Sequence, residues 1–181
     1  MLLFEKAMAK TGRKINDFYD YDLMSLDYYI EKKSVRLCPV NLVLRVPALT
    51  DLNAIAPLQA AYEMEEVIPT GSSFNPAASR ANLTNLIVNG KVLAAEVNGR
   101  LVGKIHVNAV SFTRYQVGGV YVHPDFRGKG IARRMTAEFI NSLFKECRGV
   151  TLFVKKNNLP ARKLYAGLGF TVKGDYRITY Y

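Results

Sequence analysis

Apolar and polar positions change period several times along the chain, and the changes mark out its elements. Residues 1–10 suit a short helix stopped at Thr11-Gly12, whereas residues 16–33, NDFYDYDLMSLDYYIEKK, follow no period. Residues 41–47, NLVLRVP, alternate as a strand does. Residues 50–67 read as a helix capped by Thr50 and disturbed at Pro57. The loop PTGSSFNP leads to Asn75-Pro76, a cap and a first-turn proline, which open a helix running to Val88. Two apolar strands, 91–97 and 100–110, flank Asn98-Gly99, a hairpin turn because both turn residues need positive φ. A strand over 115–123 is interrupted by Gly118-Gly119. Residues 131–147 place Ile131, Met135, Phe139, Ile140, Leu143 and Phe144 on one helical face. A buried strand (149–155), a short helix stopped by Gly169 and a closing strand or hairpin complete a mixed α/β order.

Composition narrows the class. With 49% hydrophobic residues among 181, the chain can bury a core of one domain, and intrinsic disorder is excluded. No run approaches a membrane span, and Glu5 and Lys6 break any signal-peptide layout. Cys38 and Cys147 lie far apart without metal-ligand spacing, so no metal site is expected, and both read as reduced thiols of a cytoplasmic protein.

The net charge of +10 is uneven: residues 127–181 hold twelve Lys/Arg against three Asp/Glu, so nine of the ten excess charges lie there. The excess begins at YVHPDFRGKGIARRM, where Arg127, Lys129, Arg133 and Arg134 surround Gly128 and Gly130 at a strand-to-helix junction. A helix start favours acids, not bases. A glycine turn that aims backbone N–H groups at one point, followed by a helix dipole, makes a phosphate cradle, and an anionic ligand accounts for the arginines. The plainer reading is a glycine turn with exposed bases. Neither the P-loop pattern nor the dinucleotide G-x-G-x-x-G pattern fits, since Arg133 occupies the third glycine position.

Arg127 to Ala132 match [QR]-x-x-G-x-[GA], the pyrophosphate loop of the GCN5-related N-acetyltransferases (GNAT family). NNLPARKLYAGLGF resembles a second signature of that family through Asn158, Ala161, Leu164, Tyr165, Gly169 and Phe170. The resemblance covers about residues 40–181. It implies an α/β (α+β) fold: a mixed, mostly antiparallel sheet splayed between its fourth and fifth strands, with helices on both faces. Residues 39–181 would form this domain, and residues 1–38 an N-terminal appendage or the end of an upstream segment.

The resemblance also implies acetyl-CoA as acyl donor and a primary amine, of a small molecule or peptide, as acceptor. Carried over by position, Arg127, Gly128, Lys129, Gly130, Ile131 and Ala132 bind the pyrophosphate, largely through main-chain N–H groups. Val120, Tyr121 and Val122 bond the pantetheine as an added strand, with Gly118 and Gly119 making room for it. Arg133 or Arg134 meets a CoA phosphate. Asn158 resembles a cofactor-binding residue and is equally a helix cap. Tyr165 resembles the general acid that protonates the leaving thiolate, against the reading of a packed core tyrosine. In some members a glutamate base stands eleven residues before the loop; here that position is Gln116, which cannot take a proton but can position acceptor or water. Glu96, His106 and His123 are candidate bases, beside a water relay and their plainer structural roles. The acids Glu63, Glu65 and Glu66 could draw a cationic amine, and Tyr62, Phe74 and Tyr115 could line an apolar wall.

Two other classes stay open: a sensor that binds acetyl-CoA without turnover, and, with no recognised motif behind it, a basic nucleic-acid-binding domain. A homo-oligomer is compatible with the sequence, and no membrane partner is expected.

Overall fold

The computed structural model describes residues 17–28 and 41–180. The helix expected over residues 1–10, and Cys38, lie outside them. The elements are strands β1 (Asp17–Leu26) and β2 (Leu42–Arg45), helices α1 (Leu52–Tyr62) and α2 (Pro76–Val88), strands β3 (Val92–Val97), β4 (Arg100–Val110) and β5 (Arg114–Val122), helix α3 (Ile131–Leu143), strand β6 (Gly149–Lys155), helix α4 (Leu159–Ala166) and strand β7 (Thr171–Tyr180). The seven strands form one sheet in the order β2-β3-β4-β5-β6-β1-β7.

Local chemistry explains most boundaries. Asn98 and Gly99 both hold positive φ, as the β3–β4 hairpin requires. Asn75 caps α2, its Oδ1 accepting from the Ala78 N–H, with Pro76 in the first turn. The helix expected over 50–67 is three pieces: a 3-10 turn Leu49–Asp51, then α1, then a π turn over Glu63–Val67. Thr50 sits inside the 3-10 turn rather than capping it. The last strand is single, because β7 pairs with β1 along nearly its whole length.

The stretch 16–33, aperiodic as sequence, contains β1, which pairs antiparallel with both β6 and β7. Its Met24 and Leu26 are buried in the main core. The boundary expected at 38/39 therefore runs between two strands of one sheet.

Two apolar layers cover the sheet. One gathers Ile131, Met135, Phe139, Ile140 and Leu143 of α3 with strand side chains and with Tyr165, Leu168 and Phe170. The other packs Ile55 and Leu58 of α1 and Leu83 and Ile87 of α2 against β3, Leu101 and Tyr121. β4, central in the sheet, is buried continuously from Leu101 to Val107, Lys104 and His106 included. Each fully buried Leu or Ile contributes about 1.5–3 kcal/mol.

Among the described residues only one strand pair is parallel. β5 meets β6 through Arg114–Gln116 against Gly149–Thr151 and then parts from it. β5 also carries an extra residue: between the pairs His106↔Gly118 and Lys104↔Tyr121, Gly119 and Val120 face Ile105 alone. Such a bulge bends and twists the strand that carries it. Counted from β2, the parting falls between the fourth and fifth strands.

Candidate active site

The parting of β5 and β6 opens a cleft of about 1050 Å³. Its walls include Gln116 to Val122 of β5, Phe153 to Lys155 of β6, the turn at Arg127, Gly128 and Gly130, the first residues of α3, and Asn158, Ala161, Leu164 and Tyr165. Beyond Gln116 the β6-facing edge of β5 has no strand partner among the described residues. Its backbone groups there can pair with an extended ligand, as an added strand would.

Gly128 and Gly130 hold φ of 76° and 77°, and Gly130 is the N-cap of α3. That helix start has no side-chain cap and no acid in its first turn. Its N–H groups and dipole are thus left for an anion, so these residues fit a diphosphate. The four cations are not simply aimed at a ligand, however. Arg127 donates from Nε to the Val122 carbonyl (2.9 Å), pairs with Glu65 (2.9 Å) and lies over the Tyr121 ring. Lys129 donates to the Asp125 carbonyl and is not among the cleft-lining residues. Arg133 lines the cleft but donates to the Gly167 carbonyl (2.6 Å), tying α3 to the end of α4, and Arg134 faces Glu138. The arginines expected to serve a ligand also staple the loop to its neighbours.

Asn158 caps α4 through Oδ1, which accepts from the Ala161 N–H, and donates from Nδ2 to Glu66 (3.1 Å) while lining the cleft. Tyr165 lines the cleft from below, edge-on to Phe170. Burial raises its phenol well above the ordinary range, with Tyr62 and Glu66 adding to the effect, so the hydroxyl keeps its proton. Among the described residues that hydroxyl forms no hydrogen bond.

The acids of the π turn do not stand free. Glu63 accepts from Gln59 (2.6 Å), Glu65 holds Arg127 and the Tyr121 hydroxyl (2.9 Å), and Glu66 holds Asn158 and Lys155. The turn straps the β5 lip to the β6 lip. The acids expected to draw an amine are committed to the protein's own donors.

Gln116 lines the cleft at the fork, paired with Ala109 on β4 and Thr151 on β6. Glu96 does not reach it: its carboxylate binds Arg45 of β2 at 2.8 Å, and it is absent from the cleft wall. β3 places this candidate base two strands away from β5. His123 begins a 3-10 turn, where its Nδ1 accepts from Asp125 N, and does not line the cleft. His106 is buried behind β5, and burial together with Lys104 depresses it to about 3, so it is a neutral imidazole that takes no proton near pH 7. Of the expected apolar wall only Tyr62 lines the cleft; Tyr115 instead donates to Glu146.

Gly118 and Gly119 also serve another purpose than the one expected. A Cβ at Gly118 would lie 2.2 Å from the Asn108 side chain, and one at Gly119 2.0 Å from the His106 ring. Their missing side chains admit β4 side chains. Residues that sequence reasoning missed are Tyr21, Tyr176, Ile178 and Tyr180, which wall the far side of the cleft from β1 and β7. The density of Tyr in both strands was the available signal.

Comparisons with known proteins agree with this geometry. Residues 58–170 match the acetyltransferase (GNAT) family. Over 88 residues the chain is 35% identical to streptothricin acetyltransferase of Escherichia coli, covering 48% of this chain and 50% of that protein. The chain thus spans about half the length of the curated relative it matches. Among solved structures, a GCN5-related N-acetyltransferase from Sphaerobacter thermophilus superposes with a TM-score of 0.72 at 20% identity, covering 97% of this chain and 56% of that one. The structure of yncA from Salmonella typhimurium with its cofactor acetyl-CoA gives 0.63 at 23% identity, over 74% and 81% of the two chains. These likenesses are of fold.

Proposed function

Because the chain belongs to the acetyltransferase (GNAT) family, we propose that it is an acetyl-CoA-dependent N-acetyltransferase that moves an acetyl group to a primary amine by direct attack. One observation carries the reading. The parting of β5 and β6 gathers an uncapped helix start, an unpaired strand edge and a protonated tyrosine around a single cleft. The N–H groups at Gly128, Gly130 and the first turn of α3 hold the diphosphate. The open edge of Val120 to Val122 holds the pantetheine, which brings the thioester towards Tyr165.

The chemistry then needs little. A neutral amine nitrogen bonds to the acetyl carbon, the carbon–sulfur bond breaks, and the thiolate takes the Tyr165 proton. The nitrogen releases its proton to water, since Glu96, His106 and His123 are withdrawn from this role, and Tyr165 takes a proton back from water, which restores its phenol. Gln116, at the fork, positions the acceptor or that water. Among the described residues no helix is long and apolar enough to cross a membrane, and Cys147 is a free thiol. A reducing, cytoplasmic setting suits both.

The test is a screen of amine acceptors, streptothricin and short peptides among them, with acetyl-CoA, reading free thiol. Thiol release above the uncatalysed rate, with a mass gain of one acetyl group on the amine, is expected. Tight acetyl-CoA binding with no release from any amine would replace the enzyme by a sensor.

A further inference from the structure

Behind β5 lies a charged group that the reaction above does not use. Lys104 is wholly buried in the middle of β4. Its Nζ donates to the Gly119 carbonyl (3.1 Å), sits 3.1 Å from His106 Nδ1, and stands 4.6 Å from the centre of the Tyr62 ring. It does not line the cleft, so it touches neither donor nor acceptor. A buried ammonium is costly unless its donors are engaged, and a Met of similar shape would usually serve stability as well or better. Its retention calls for a role.

The Gly119 carbonyl supplies one. Gly119 is the left-handed residue of the β5 bulge, with φ of 60°. Its carbonyl accepts from Lys104 Nζ, which itself lies over the Tyr62 ring of α1, so the carbonyl points into the protein behind β5. In a trans peptide the N–H points opposite to the C=O, and the chain has no cis peptide among the described residues. The Val120 N–H therefore points away from Lys104, and Val120 itself lines the cleft.

We infer that Lys104 is a positioning residue for acetyl transfer: by holding the Gly119 carbonyl it fixes and polarises the Gly119–Val120 peptide, making the Val120 N–H a pre-aimed donor to the thioester oxygen. This rests on the acetyltransferase reading. A hydrogen bond on one side of a peptide strengthens the donor on the other. A donor aimed beforehand at developing oxyanion charge is worth most in a site closed to water. Burial pulls Lys104 down to about 7, with Glu63 opposing. Even as a neutral amine, Lys104 retains N–H donors for Gly119.

Three variants test this. Lys104→Met keeps the volume and removes the donor; Lys104→Gln keeps a donor without charge; Lys104→Ala is the coarse control. With folding checked by circular dichroism, Lys104→Met is expected to lower kcat by at least about tenfold while acetyl-CoA affinity stays within about threefold, and Lys104→Gln to recover part of the loss. In nuclear magnetic resonance of the protein without ligand, the Val120 amide nitrogen should move upfield in Lys104→Met. An unchanged Val120 resonance, or a kcat within about twofold of wild type in folded Lys104→Met, overturns the inference. A kcat loss matched by lost acetyl-CoA affinity also overturns it, because that is the mark of a merely structural residue. If Lys104→Met does not fold, the same criteria apply to Lys104→Ala, whose Val120 resonance should shift more than in Lys104→Gln. Wild type inert towards every amine defeats the acetyltransferase reading instead, and the resonance then still decides the hydrogen-bond claim.

Discussion

Tyr165 is buried and lines the cleft, and its hydroxyl is free of other partners among the described residues. These are the properties of a proton donor and equally of a core tyrosine, and one hydroxyl separates the two. Tyr165→Phe keeps the packing on Phe170. General acids contribute about 10²–10⁴-fold, so kcat should fall at least about tenfold, with water as the substitute donor. The loss should shrink with an acyl donor whose thiol is more acidic, because that thiolate leaves unaided. An unchanged kcat, in an assay limited by chemistry, would return Tyr165 to the core. The signature that singled out Tyr165 and Asn158 was legible as letters. The Glu66 partner of Asn158 was not, because 92 residues separate them in the chain.

At the scale of elements, the start of α3 is the feature most open to a direct test. Gly130 is left-handed, uncaps the helix and lines the cleft. Gly130→Asp puts bulk and negative charge where a diphosphate would lie, against a backbone conformation that side chains rarely adopt. Acetyl-CoA affinity of the folded variant should fall by well over threefold in calorimetry. Affinity within about threefold, roughly 0.65 kcal/mol, would remove the loop from the site. The sequence marked this turn because glycine spacing and charge are local. It could not say that Arg127, Lys129 and Arg133 are also tied to Glu65, the Asp125 carbonyl and the Gly167 carbonyl, since those partners come from other elements or from the turn's own folding.

The whole molecule depends on β1. It lies between β6 and β7, so a chain of residues 39–181 would leave β7 without its partner and expose the apolar surface facing Met24 and Leu26. Such a chain is expected to lose cooperative unfolding, seen as a missing or broadened transition in urea; a sharp transition at the wild-type midpoint would make residues 17–28 dispensable. The buried pair on β4 gives the fold a pH signature. His106 falls from its ordinary 6.5 to about 3 on folding, so between those values the unfolded chain binds a proton that the folded one refuses. The His106 contribution is then full above pH 6.5 and lost as pH falls towards 3, while Lys104, lowered from 10.5 to about 7, adds a loss of the same sign as pH falls from 10.5 to 7. Asp51, held down to about 2 by Arg45, adds a loss of the same sign below its ordinary 3.8. Urea midpoints should decline over this range, and His106→Asn, which cannot titrate, should flatten the part between pH 6.5 and 4. A wild-type slope retained in that variant would assign the decline to other groups.

By itself the sequence determined what depends on neighbours along the chain. The Asn98-Gly99 hairpin, the cap at Asn75, the amphipathic face of α3 and the glycine turn before it are set by local backbone freedom and periodicity, and they appear where the pattern puts them. The two signature stretches likewise carried the family. Tertiary structure alone decided which candidates meet. It put β1 inside the sheet, moved Glu96 to Arg45, filled the spaces at Gly118 and Gly119 with Asn108 and His106, and bound the acids of the π turn to both lips of the cleft. Strand pairing and ion pairing of this kind join residues far apart in the chain, where no local period records the partner.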